Sequence, residues 1–142
     1  MSGAIRDTSC HCGAVRLRVK LAQPLDQTSR CDCSFCSHRQ GAQITVMIGD
    51  LEVFAGEDNL TLYTFGTGTA QHFFCKTCGI YTHHQRRSNP REYGVNIGTI
   101  AGVNPRDYDP IPWTDGVKPP ARSNLGFGAA NDLGKLIKNR LV

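Results

Sequence analysis

The residues able to do chemistry in this chain are thiols, and they come in three tight groups: Cys10-His11-Cys12, Cys31-Asp32-Cys33-Ser34-Phe35-Cys36 and Cys75-Lys76-Thr77-Cys78. Cysteines one or two residues apart grip a single soft cation readily. Zinc takes four protein ligands where it holds a fold, and three where it keeps a position open for water or substrate. The seven cysteines divide as four plus three. Cys31, Cys33 and Cys36 can reach one ion with almost no chain to order between them. The outlying pairs, Cys10 with Cys12 and Cys75 with Cys78, make a four-thiolate site that works as a long-range cross-link. Two zinc ions per chain are therefore expected, one enclosed and one with a free face that suits an incoming sulfur.

Other readings of the same residues stay open at this level. His11, His38 or His72 could close the three-thiolate site and make both ions structural. A metal-free Cys-x-Cys-x-x-Cys could cycle between thiol and disulfide once one thiolate is activated. Iron–sulfur clusters fit less well, because this spacing matches none of the common cluster patterns.

The elements that must position these thiols read as β. Residues 14–21 alternate apolar and basic, the period of a half-buried strand. Further strands are expected over 43–48, 51–54, 60–65, 69–74, 80–84 and 93–97, with Gly66-Thr67-Gly68 as a hairpin loop. Cys75-Lys76-Thr77-Cys78-Gly79 reads as a knuckle in which the glycine relieves a tight turn. After Thr99, Pro105, Pro110, Pro112, Pro119 and Pro120 break regular structure, giving a loop-rich C-terminal tail. Trp113 and Phe127 are expected to pack that tail onto the sheet. A short amphipathic helix is expected over 131–141, with Leu133, Leu136, Ile137 and Leu141 on one side.

Size and composition agree with one small, mainly β, metal-stapled domain. The chain has 142 residues, 39% hydrophobic and 20% charged, with 15 glycines and 7 prolines. The opening residues 1–7 lack the apolar stretch of a secretion signal, and nothing approaches the ~20 apolar residues of a membrane span. A cytoplasmic location is expected, where thiols stay reduced and paired cysteines favour metal over disulfide. The net charge of +4 suits an anionic small molecule, and equally a weak nucleic-acid contact.

Cys10-His11-Cys12-Gly13-Ala14-Val15, the middle cluster followed by Gly41, and Phe74-Cys75-Lys76-Thr77-Cys78-Gly79 together resemble the glutathione-dependent formaldehyde-activating enzyme family, which shares its domain with centromere protein V. The resemblance runs from about Thr8 to about Trp113, within a single domain of residues 1–142. It implies a tent of small antiparallel sheets. It places a structural zinc on Cys10, Cys12, Cys75 and Cys78, and a catalytic zinc on Cys31, Cys33 and Cys36. The implied activity is a carbon–sulfur lyase reaction that adds glutathione to formaldehyde. The sequence departs from the family where Ser37 and His38 precede Arg39, and where Gln71-His72-Phe73 replaces an arginine ahead of the third cluster.

On this reading a thiol takes the open position and adds to a small aldehyde. Arg39, Arg86 and Arg87 are candidates for the two carboxylates of a glutathione-like substrate. His83 and His84 could act as acid or base, but neighbours on a strand point to opposite faces, so at most one can serve. The competing reading is a non-catalytic, zinc-stabilised binding module for nucleic acid or protein. Nucleic acid is the weaker partner, since the basic residues are scattered and only Lys135, Lys138 and Arg140 form a modest group.

Overall fold

The computed structural model describes residues 3–117. They form the strands β1 (Ile5–Ser9), β2 (Arg16–Leu21) and β3 (Arg30–Cys31), the helix α1 (Ser34–Arg39), and the strands β4 (Gln43–Ala55), β5 (Leu60–Tyr63), β6 (Gln71–Cys75), β7 (Tyr81–Gln85), β8 (Glu92–Asn96) and β9 (Trp113–Thr114). Seven strands make one sheet in the order β1-β2-β4-β8-β7-β6-β5, and every neighbouring pair is antiparallel. β3 and β9 pair in parallel, and the bridge Ser29–Gln43 joins this ribbon to the large sheet. The chain is mainly β, as the alternating patterns predict.

The alternation in β2 explains the core. Leu17, Val19 and Leu21 are buried, while Arg16, Arg18 and Lys20 between them are exposed. Leu21 faces Val46 across the β2–β4 pair, and Ile44 faces Val95 across β4–β8. These side chains, with Ile97, Ile100 and Ile111, make one apolar cluster. Thr45, Gly94, His84 and His72 sit at paired positions across β4, β8, β7 and β6, on the opposite face from Ile44 and Val95. That second face carries the site.

Four departures from the sequence reading have physical causes. The strands expected at 43–48 and 51–54 are one strand, β4, because a wide bulge absorbs the break: Leu21 pairs with Val46 but Val19 with Leu51. The first part of β4 serves β8 and the last part serves β2. β1 escapes the pattern search because Ile5 is exposed and only Thr8 is buried. α1 is a six-residue helix, too short to show a 3.6-residue period. Trp113 does not pack into the sheet: it is 54% exposed beside the Arg30 guanidinium, and Ile111 enters the core instead. Phe127 and the helix expected over 131–141 lie outside the described residues. No helix among the described residues is long and apolar enough to cross a membrane.

Candidate metal centres and the cavity between them

The four outlying thiols meet. Cys10 and Cys12 lie in the turn between β1 and β2, Cys75 ends β6, and Cys78 follows it. All four sulfurs lie within 4.8 Å of one another. Cys10 Sγ to Cys12 Sγ is 3.6 Å, and Cys12 Sγ to Cys75 Sγ is 3.6 Å. A tetrahedral ion with Zn–S bonds of about 2.3 Å sets sulfurs roughly 3.7 Å apart. The group therefore has the dimensions of a four-thiolate zinc site. Backbone N–H groups point at the sulfurs as such a site requires: Val15 N donates to Cys10 Sγ at 3.3 Å and Cys78 N to Cys75 Sγ at 3.5 Å. Asn59 adds a side-chain bond to Cys75 Sγ at 3.4 Å. Backbone N–H groups of Cys12 and Ile80 draw the Cys78 thiol down to about 6. Both turns rely on a left-handed glycine, Gly13 at φ 84° and Gly79 at φ 76°.

The middle thiols form a second group, again within 4.8 Å of one another. Cys31 ends β3, Cys33 caps α1 and Cys36 lies in its first turn. Cys33 Sγ accepts the backbone N–H of Cys36 at 3.3 Å, so the helix cap and the metal-ligand candidate are one atom. Hydrogen bonds from Cys31 and Cys36 pull the Cys33 thiol well below its ordinary value, while contacts with its neighbours push Cys31 and Cys36 up. Three sulfurs this close cannot all be thiolates unless a cation lies among them, which is the donor set of a three-thiolate zinc site. Neither His11, His38 nor His72 joins either group of ligand atoms.

A strap closes one side of this group. Arg30 N donates to Pro112 O and Asp32 N to Thr114 O, at 2.9 and 3.2 Å. Gly116 N then donates to Asp32 Oδ1 at 2.7 Å. A Cβ at Gly116 would overlap Cys31 Sγ and lie 2.9 Å from Cys33 Cβ, so only glycine passes this close to the sulfurs.

The three thiols, with Thr114 and Gly116 of the strap, line a cavity of about 220 Å³ whose walls also include Gln43, Phe65, His72, His84, Arg86 and Arg87. Gly94 makes room for it: a Cβ there would overlap Gln43 Oε1 and the His84 ring. Phe35 packs on the His72 ring at 4.4 Å and Phe65 stacks on it at 5.7 Å, giving an aromatic flank. Arg86 is paired with Glu92 at 3.3 Å, both half-buried. Arg87 has no ion-pair partner among the described residues.

Arg39, expected to meet a substrate carboxylate, is held elsewhere. Its guanidinium lies 3.6 Å over the Tyr81 ring and 4.7 Å from Phe35. It donates to His72 Nδ1 at 3.1 Å, His84 Nδ1 at 3.3 Å and Cys36 Sγ at 3.3 Å, behind the cavity wall. Burial, and then the Arg39 charge, push His72 down to about 3 and His84 well below 6.5, so both rings are neutral. Of the adjacent histidines, His84 faces the cavity. His83 faces the other way, stacked on Phe73 at 4.6 Å. Sequence reasoning missed Gln43 and the depth at which His72 and His84 are buried. The signal was weak: only the pairing of β6 with β7 puts His72 opposite His84.

The family model for the glutathione-dependent formaldehyde-activating enzyme matches residues 5–113. A crystal structure of a Rhodobacter sphaeroides protein is similar to this chain, with 57% identity and a TM-score of 0.75 over 76% of this chain and 99% of that one. The matched span takes in all seven cysteines and every strand from β1 to β8. With its thiol groups assembled on this antiparallel sheet, the chain belongs to the glutathione-dependent formaldehyde-activating enzyme family.

Proposed function

We propose that this protein is a cytoplasmic, zinc-dependent carbon–sulfur lyase of a single domain, joining a thiol such as glutathione to a small aldehyde such as formaldehyde. Two zinc ions per chain serve it, a structural one on Cys10, Cys12, Cys75 and Cys78, and a catalytic one on Cys31, Cys33 and Cys36. The observation that carries the reading is the placement of the three-thiol group in the wall of a cavity that also holds Arg86 and Arg87. A zinc on three thiolates supplies an open coordination position and lowers the pKa of a thiol that takes it.

The chain's own residues do the rest. Arg87, with Arg86 beside it, supplies forked donors for the carboxylates of a glutathione-like substrate and aims its thiol at the cysteine group. Phe35 and Phe65 cover the His72 ring and keep bulk water off that wall. Holding thiolate and aldehyde together gives much of the rate advantage, because a bimolecular addition becomes nearly unimolecular. The protein's part is thus orientation and a low thiol pKa.

Metal analysis with and without glutathione tests this reading. Two zinc ions per chain are expected, with glutathione binding at the 31–36 site and the protein accelerating its adduct formation with formaldehyde. A single zinc per chain in carefully purified protein, with no thiol–aldehyde chemistry, would overturn it.

A further inference from the structure

The cavity wall contains an imidazole whose proton position is dictated by its neighbour. His72 Nδ1 faces Arg39 Nη1 at 3.1 Å. A guanidinium donates and never accepts, so Nδ1 must present its lone pair, and the proton of the neutral ring sits on Nε2. His72 is 96% buried by its exposure of 4%, and its Nε2 has no hydrogen-bond partner among the described residues. Gln43 Oε1, in the same wall, is buried and unpartnered too. An unmet buried donor and an unmet buried acceptor are each unfavourable, because both lose water without gaining a partner. Both are explained if the cavity's occupant brings an oxygen that accepts from one and, once protonated, donates to the other.

We propose that His72 Nε2–H, held in that tautomer by Arg39 as a positioning residue, and Gln43 Oε1 bind the oxygen of the carbonyl compound as the thiol adds to it. The inference rests on the reading of function above and deepens it by naming the groups that receive the aldehyde oxygen. In the addition, the thiolate sulfur forms a bond to the carbonyl carbon, and the π pair of the C=O bond moves onto oxygen. His72 donates a hydrogen bond to that alkoxide and gives up no proton. The alkoxide takes its proton from water, and the resulting hydroxide is neutralised by the proton the thiol lost on binding. The product hydroxyl then accepts from His72 and donates to Gln43. The same geometry excludes His72 as a closing metal ligand through Nε2, since that atom carries the proton and has no free lone pair.

Two measurements test this. In ¹⁵N-labelled, zinc-loaded protein, long-range ¹H–¹⁵N spectra should show His72 protonated at Nε2 and bare at Nδ1, and Arg39→Met should release that tautomer. Formamide, a small carbonyl compound that adds no thiol, should shift the His72 Nε2–H signal. In kinetics with glutathione and formaldehyde, His72→Phe keeps the ring stack but loses the donor. It should lower kcat about 10²-fold, as loss of an oxyanion donor does, with KM for the thiol changed less than about twofold and zinc content unchanged. A proton on Nδ1, an unmoved Nε2–H signal with formamide, or wild-type kcat in His72→Phe overturns the proposal. If the wild-type protein turns over no thiol–aldehyde pair, the reading of function fails by itself, and the tautomer and formamide spectra still decide this inference.

Discussion

Cys12 and Cys75 are 63 residues apart in the chain, yet their sulfurs lie 3.6 Å from one another. In a flat sheet, four strand spacings would hold β2 and β6 about 19 Å apart. The sheet must curl to bring the β1–β2 turn onto the end of β6, and a shared cation is the natural tie. Cys75 is fully buried at that junction. Cys75→Ser should therefore lose one zinc and most of the folded protein, because metal binding at such a site is folding free energy. Cys33→Ser should lose one zinc and all activity while the fold survives, since α1 and the strap lie outside the main core. Zinc content and circular dichroism of the two variants check the contrast. Unfolding of Cys33→Ser would make the 31–36 site structural.

Gly116→Ala should weaken the three-thiolate site selectively. The new methyl overlaps Cys31 Sγ and presses on Cys33, so the strap must lift or the sulfurs must part. Release of one of two zinc ions to a chelator should become at least ~10-fold faster, and the other should be unchanged. Equal release from both proteins would show that the strap gives way freely.

Arg87→Ala should raise KM for glutathione roughly tenfold or more, from the loss of charge-assisted bonds of about 1.5–3 kcal/mol. A thiol without carboxylates should be indifferent to the change. Arg86→Ala should also destabilise the protein, because it leaves half-buried Glu92 without its partner. Michaelis constants for the two kinds of thiol, with melting temperatures, separate these effects.

Acid should destabilise the protein through His83. Burial holds this ring down to about 4 against an ordinary value of 6.5. The unfolded chain therefore binds the proton first, and stability rises with pH across that window. It is fully present above pH 6.5 and is lost as pH falls toward 4, by about 3 kcal/mol at 1.36 kcal/mol per unit. His83→Phe keeps the stack on Phe73 and should show a shallower fall in denaturation midpoint over that interval. An identical fall in both proteins would assign the acid sensitivity to His72, His84 or the thiol groups instead.

The sequence by itself determined the thiol groups. Cys31, Cys33 and Cys36 are neighbours in any local conformation that turns, and the pairs at 10–12 and 75–78 each have glycine where a left-handed turn is needed. It also determined the buried face of β2, because a period of two survives in the letters themselves. Long-range pairing was not written in any such local rule. The bulge that makes β4 one strand depends on β2 lying beside it. The irregularity between Phe73 and Phe74 in the β6–β7 pairing skips Thr82 and sets His84, rather than His83, opposite His72. That single-residue slip turns His84 into the cavity and His83 into the core. Arg39 then meets both cavity imidazoles across gaps of 33 and 45 residues. Spacing along the chain fixes which atoms can share an ion. Only strand register fixes which side chains share a face, since a slip of one residue exchanges the two faces of a strand.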